Sequence, residues 1–224
     1  MAATKRGPPE PGCTIEEREL NMKIVMATHN RHKVEEIKEL FRFPGLEWLT
    51  GADFPEIPEA LEDGETFEAN AAKKARHLAT ATGLWALADD SGLEVKALGW
   101  APGVHSARYA GEPCDHSRNN EKLLRELAGV KDREARFRCV AALSDPEGRV
   151  EWVSGTCPGR IIEERRGAAG FGYDPLFVPE GHEETFAEMG NEAKNRLSHR
   201  GRAMRAAVEK WGALLASGAK GFGA

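Results

Sequence analysis

The chain has 224 residues, 41% hydrophobic and 30% charged, with a formal net charge of −5. Such a length suits one large domain or two small ones and buries roughly 70% of the unfolded surface without covalent staples. The acidic balance excludes broad steering towards nucleic acid, and the lack of any run of about 18 apolar residues excludes a membrane-spanning helix, so neither partner is expected.

Residues 1–22 are rich in Pro and Gly, then in charge, and lack the apolar core of a signal peptide, so they are expected to form a disordered tail. The cysteines Cys13, Cys114, Cys139 and Cys157 show no CxxC or Cys/His ligand spacing, which fits reduced thiols in a cytoplasmic protein. "MKIVMAT" reads as a buried strand and leads straight into "NRHKVEEIKELF", where Val34, Ile37, Leu40 and Phe41 recur at helical spacing. "PGLEWLT" is a second strand, and "GADFPEIPEALEDGE" a proline-containing loop. Thr66 caps a helix over "FEANAAKKARHLATATG" that Gly83 ends. "LWALADD" and "LEVKAL" read as strand, break, strand, with the break at Ser91-Gly92.

After the loop "GWAPGVHSARYAGEPC", residues 116–128 form a helix that turns Leu123, Leu124 and Leu127 inwards. "ARFRCVAALS", the turn "DPEG" and "RVEWVSGT" make an antiparallel hairpin, and "GRIIEE" a further short strand. A glycine-rich loop, "RRGAAGFGYDPLFVPEG", then a closing helix over residues 198–215, complete the domain, and residues 217–224 are expected to be a flexible tail. Strands alternating with helices, followed by a hairpin, predict a single domain over residues 23–216 of α/β class, with a mixed sheet and helices on its faces.

The chemistry-bearing residues fall at a few places along this order. In "ATHNRHK" a helix mouth offers free N–H groups beside Thr28, Asn30 and Lys33, either an anion site or an ordinary capped helix. Asn70, Lys74 and His77 form a polar stripe on one helix face, either solvated or turned to a polyanion. Asp89 and Asp90 are adjacent in an apolar strand, and alternation sends them to opposite faces. One or two carboxylates at a strand end suit magnesium, which takes few protein ligands and keeps water and phosphate in its shell; Asp and Ser-Gly also build plain turns. "PEALEDGE" brings Glu62 among other acids. "GFGYDP" offers glycines for close approach and the rings of Phe171 and Tyr173 for stacking or for core packing. "KNRLSHRGR" concentrates Lys194, Arg196, His199, Arg200 and Arg202 at a helix start, where cations oppose the helix dipole.

Taken in order, "ATHNRHK", "TFEANAAKKA", "ADDSGLEV", "APGVHSARYAG", "GFGYDP" and "SHRGRA" resemble the inosine/xanthosine triphosphate pyrophosphatase family over residues 22–215. The resemblance implies an elongated mixed central β-sheet in two lobes with a cleft between them, and a homodimer. It implies hydrolysis of ITP, dITP or XTP to the monophosphate and pyrophosphate with Mg2+. By motif match, Thr28, His29, Asn30, Arg31, His32 and Lys33 would hold the phosphates, joined by Lys74. Asp90 would be the catalytic acid at the metal and the acceptor of the water proton, with Glu62 or Asp89 as the second metal-linked carboxylate and Ser91 beside the substrate. Phe171, Gly172, Tyr173, Asp174, Lys194, His199 and Arg200 would surround sugar and base. His29 and His105 depart from the family pattern. Rival readings are a dTTP- or UTP-directed pyrophosphatase, which "SHRG" and "GFGYDP" oppose, and a non-catalytic nucleotide-binding module.

Overall fold

The computed structural model describes residues 22–28, 30–42 and 45–223. Apart from Met22, the expected N-terminal tail lies outside them, as does His29. The sheet has six strands, β1 (Met22–Met26), β2 (Leu46–Thr50), β3 (Trp85–Val95), β4 (Glu134–Ser144), β5 (Val150–Ile161) and β6 (Phe177–Pro179), in the order β2-β1-β3-β4-β5-β6. β1 runs parallel to β2 and β3, and the remaining pairs are antiparallel. The mixed α/β sheet expected from the element order is present.

Helices cover both faces because the strands alternate. Odd residues of β3, Trp85 and Leu87, join Cys139 and Ala141 of β4 against Met204, Ala207 and Trp211 of α5 (His199–Ala216) and Ile37 of α1 (Arg31–Leu40). Even residues meet α2 (Phe67–Thr82): Ala88, Val140 and Ala142 pack on Phe67, Ala71 and Ala75. A second core lies at the far end of the sheet, where Leu93, Phe137, Phe177 and Phe186 surround Leu123 of α3 (His116–Glu126). The cleft opens between these cores.

Local signals set the helix ends. Thr66 Oγ1 accepts from Ala69 N at 3.1 Å, and Gly83 closes α2 at φ +69, a left-handed conformation that glycine adopts without a Cβ clash. Ser198 separates α4 (Asn191–Leu197) from α5 and caps the latter through Gly201 N.

Three expectations are corrected. β3 does not break at Ser91-Gly92: the ladder to β4 continues through Ser91↔Cys139 and Gly92↔Arg138. Gly92 serves close approach instead of a turn, since a Cβ there would sit 2.4 Å from both Gly103 O and Ser106 Oγ. "GRIIEE" is not a separate strand, because β5 runs unbroken from Val150 to Ile161. The segment after α5, expected to be flexible, folds back: Trp85 Nε1 donates to Ala219 O at 2.9 Å, Phe222 meets Trp85 edge-on, and Phe222 N donates to Asp145 at 3.1 Å.

Candidate active site

β1 stops at Met26, opposite Leu87, while β3 runs on to Val95. Asp89 and Asp90 therefore lie just beyond the carboxyl end of a parallel strand, where open α/β sheets form their crevices. The pair is split by strand alternation, and the two carboxylates meet different surroundings.

Asp89 points to the α1/α5 side and its side chain is fully buried. Its Oδ2 lies 3.1 Å from Lys33 Nζ and accepts from Arg200 Nη2 at 3.2 Å, Arg200 Nε at 3.3 Å and Ser91 Oγ at 3.3 Å. Burial would raise its pKa, but Lys33, Arg200 and Lys74 outweigh it and hold the carboxyl well below the usual range. Arg200 also donates through Nη1 to Glu36 and through Nη2 to Ser91 Oγ at 3.0 Å. Arg200, at the start of α5, is thus neutralised by acids from β3 and α1.

Asp90 points to α2. Lys74 Nζ stands 3.7 Å from its Oδ1, 3.1 Å from Glu62 Oε1 and 2.9 Å from the Asp89 carbonyl. Burial raises the Asp90 pKa above its ordinary value, with Lys74 and Lys33 only partly offsetting it and Glu62 adding to the rise. Its Oδ2 is buried with no hydrogen-bond partner. The polar stripe on α2 explains how Glu62 arrives there. Asn70 holds Gly64 through N (2.8 Å) and O (3.3 Å), Lys74 holds Glu62, and His77 Nε2 meets Pro58 O at 2.8 Å. Each stripe residue clamps the acidic loop across the cleft.

Phe171, Tyr173, His199 and Phe137 stand in the other lobe. Lys194 Nζ binds Asp174 at 2.9 Å and Glu36 at 3.1 Å and sits 5.0 Å from the Phe171 centroid. Glu36 has both Lys194 and Arg200, which hold it below its usual range against the opposing effect of burial; at Asp174 burial outweighs Lys194 and the Phe171 N–H and pushes the pKa up. His199 stacks on Phe137 at 4.7 Å and 11°, and burial, then Arg200 and Lys194, push its pKa far down, so the ring is neutral and its Nδ1 has no partner.

Of the expected site residues, Thr28, Asn30, Lys33, Glu62, Lys74, Asp90, Ser91, Phe171, Gly172, Tyr173, Asp174, Lys194, His199 and Arg200 line one cleft. Thr28 and Asn30 also act as local caps: Thr28 Oγ1 accepts from Asn30 N at 3.2 Å, and Asn30 Oδ1 accepts from His32 N at 3.0 Å and Lys33 N at 3.3 Å. Arg31 is exposed and does not line the cleft. His32 does not line it either; it stacks on Phe171 at 5.4 Å and 12°. Sequence reasoning missed Glu36, the acid shared by Lys194 and Arg200, because its partners are more than 150 residues away. It also passed over Arg108, which lines the cleft from within the quoted "SARYAG".

Among the described residues, no group of three or more His, Cys, Asp and Glu side chains is poised to hold a metal. Asp90 and Glu62 nevertheless converge on Lys74 beside an open cleft. Two hard oxygen donors, one with a free lone pair, fit a cation that takes its other ligands from water and phosphate.

The model of the Ham1 family matches residues 24–210. A dITP/XTP pyrophosphatase of Desulforamulus reducens is 52% identical, aligned over 84% of this chain and 94% of the relative. Another dITP/XTP pyrophosphatase, from Bacillus cereus, is 50% identical over 85% of this chain and 95% of its own. Among solved structures, the Ham1 protein of Staphylococcus aureus superposes with a TM-score of 0.79 at 37% identity, covering 86% of this chain and 99% of that one.

Proposed function

The chain belongs to the Ham1 family, and from that premise we propose that it hydrolyses deaminated purine nucleoside triphosphates, ITP, dITP and XTP, to the monophosphate and pyrophosphate. It is a nucleoside triphosphate pyrophosphatase, and by removing these nucleotides it keeps them out of DNA and RNA. The observation that carries the reading is Asp90: a buried carboxylate with raised proton affinity and an unpartnered Oδ2, beside Glu62 and Lys74 at the cleft.

In this reading the triphosphate lies along the Lys33 and Lys74 side. Water attacks the α-phosphorus, the bond to the bridging oxygen breaks, and pyrophosphate leaves. Asp90 Oδ2 orients the water and takes its proton, and Lys74 shields the charge on the phosphates. Asp90 and Glu62 would hold Mg2+, which when bound would neutralise charge on the polyanion. Ser91 stands beside the substrate, and Asp174 and Lys194 hold the loop under the base. Arg200 spends most of its donors on Asp89, Glu36 and Ser91, so reading of the 6-oxo group falls mainly to neutral His199.

The assay is direct. With Mg2+, the protein is expected to release pyrophosphate and monophosphate from ITP, dITP and XTP far faster than from dGTP, dATP or dTTP, and chelation should stop it. Equal turnover of dGTP and dITP, or orthophosphate as the sole product, would overturn the reading.

A homodimer in the cytoplasm belongs to the same proposal. No helix among the described residues is long and apolar enough to cross a membrane. The outward face of β5 carries Trp152, 47% exposed, with Ser154 and Pro158 also exposed. Sedimentation of wild type should report a dimer and Trp152→Glu a monomer; a monomeric wild type would refute the assembly.

A further inference from the structure

Two adjacent asparagines of α3, Asn119 and Asn120, are buried at 1% and 3% exposure, between the exposed charged residues Arg118 and Glu121. A buried amide needs hydrogen-bond partners, and where these lie shows what the side chain holds. Asn119 grips the turn that lines the cleft from below: Oδ1 accepts from Ala110 N at 2.7 Å, and Nδ2 donates to Ala107 O at 2.9 Å and to Ser106 O at 3.4 Å. Asn120 reaches the other way, and its Nδ2 donates to Gly172 O at 2.9 Å across 52 residues of sequence. Tyr173 OH closes the circuit on Ser106 O at 2.9 Å.

Gly172 follows Phe171, and both line the cleft. The loop that presents the Phe171 ring turns through glycines on both sides, Gly170 at φ +75 and Gly172 at φ +63, a left-handed conformation that glycine adopts without a Cβ clash. From within, Asp174 holds it, accepting from Phe171 N at 2.8 Å. From outside, Asn120 holds the Gly172 carbonyl. We propose that Asn120 is a positioning residue for the reaction: by fixing the Gly172 carbonyl it sets the Phe171 ring where the base of the nucleotide docks. The inference rests on the pyrophosphatase reading.

The second half of the amide argues for this role over a purely structural one. Asn120 Oδ1 is buried and has no partner. An orphaned buried acceptor works against stability, so an apolar residue would serve packing better. The amide is explained by what its N–H does for the loop.

Two variants test the idea. Asn120→Asp keeps the shape and sets an acceptor against the Gly172 carbonyl; Asn120→Ala removes the donor together with the orphaned acceptor, so at least one is expected to fold. In either, the KM for ITP should rise about five- to tenfold, the effect of one buried hydrogen bond, with kcat within about twofold. Inhibition by tripolyphosphate, which probes only the phosphate end, should keep its wild-type constant. A general disturbance of the fold would weaken tripolyphosphate as well, and that result, or an unchanged KM for ITP, overturns the proposal. Failure of wild type to turn over ITP would instead overturn the pyrophosphatase reading.

Discussion

Asp90→Asn is expected to lower turnover of ITP by about 10³-fold or more while the folded protein becomes more stable. The loss follows from chemistry: an amide at this position cannot accept the proton of the attacking water, and general-base assistance contributes typically about 10²–10⁴-fold. Nucleotide binding should survive, because Lys33, Lys74 and Lys194 are untouched. The gain in stability follows from the environment. Burial raises the Asp90 pKa, so the ionised form is less welcome in the folded chain than in the unfolded one. A group raised in this way contributes stability that is present below its unfolded pKa and lost as pH rises through the folded value. At neutral pH the Asp90 charge thus works against the fold, and a neutral amide removes that cost, as active-site residues commonly allow. Near-wild-type turnover by Asp90→Asn, with correct folding shown by circular dichroism, would remove Asp90 from its role as base.

Much of this arrangement was legible in the chain. Alternation along β3 alone separates Asp89 from Asp90, because a strand cannot send neighbouring side chains to one face. The caps at Thr66 and Gly83 follow from local chemistry that needs no tertiary knowledge. The readings that went astray depended on distant partners. Ser91-Gly92 has the local look of a turn, yet β4 supplies a ladder that keeps the strand extended, and the glycine answers to Gly103 and Ser106 instead. The stripe of Asn70, Lys74 and His77 left two readings open, and the structure adds a third: the stripe grips the acidic loop. His32 sits in a phosphate-binding motif by position, yet its ring meets Phe171 from the opposite lobe. Tertiary contacts of this kind leave no periodic trace in a single sequence.

The neighbouring substitution should have the opposite effect on stability. Asp89→Asn is expected to destabilise the fold by about 3–5 kcal/mol, the cost of removing one partner from a buried ionic cluster. For a chain of this size that is a fall in Tm of roughly 10 °C. Asp89 Oδ2 is the point where Lys33 of α1, Arg200 of α5 and Ser91 of β3 meet. Without its charge, Lys33 and Arg200 face each other in a buried setting, with Glu36 left to balance Arg200 and Lys194. Because the Asp89 pKa is lowered in the folded chain, its contribution is fully present above the unfolded value near 3.8 and disappears as pH falls through the folded one. The stability gap between wild type and Asp89→Asn, measured by urea unfolding, should therefore be wide at pH 7 and narrow progressively below about pH 4. A gap under about 0.5 kcal/mol at pH 7, the range of an ordinary surface change, would show that the cluster does not depend on this carboxylate. Together the two variants separate the adjacent acids by sign: one charge is kept for the reaction against the fold, and the other holds together the elements around the cleft.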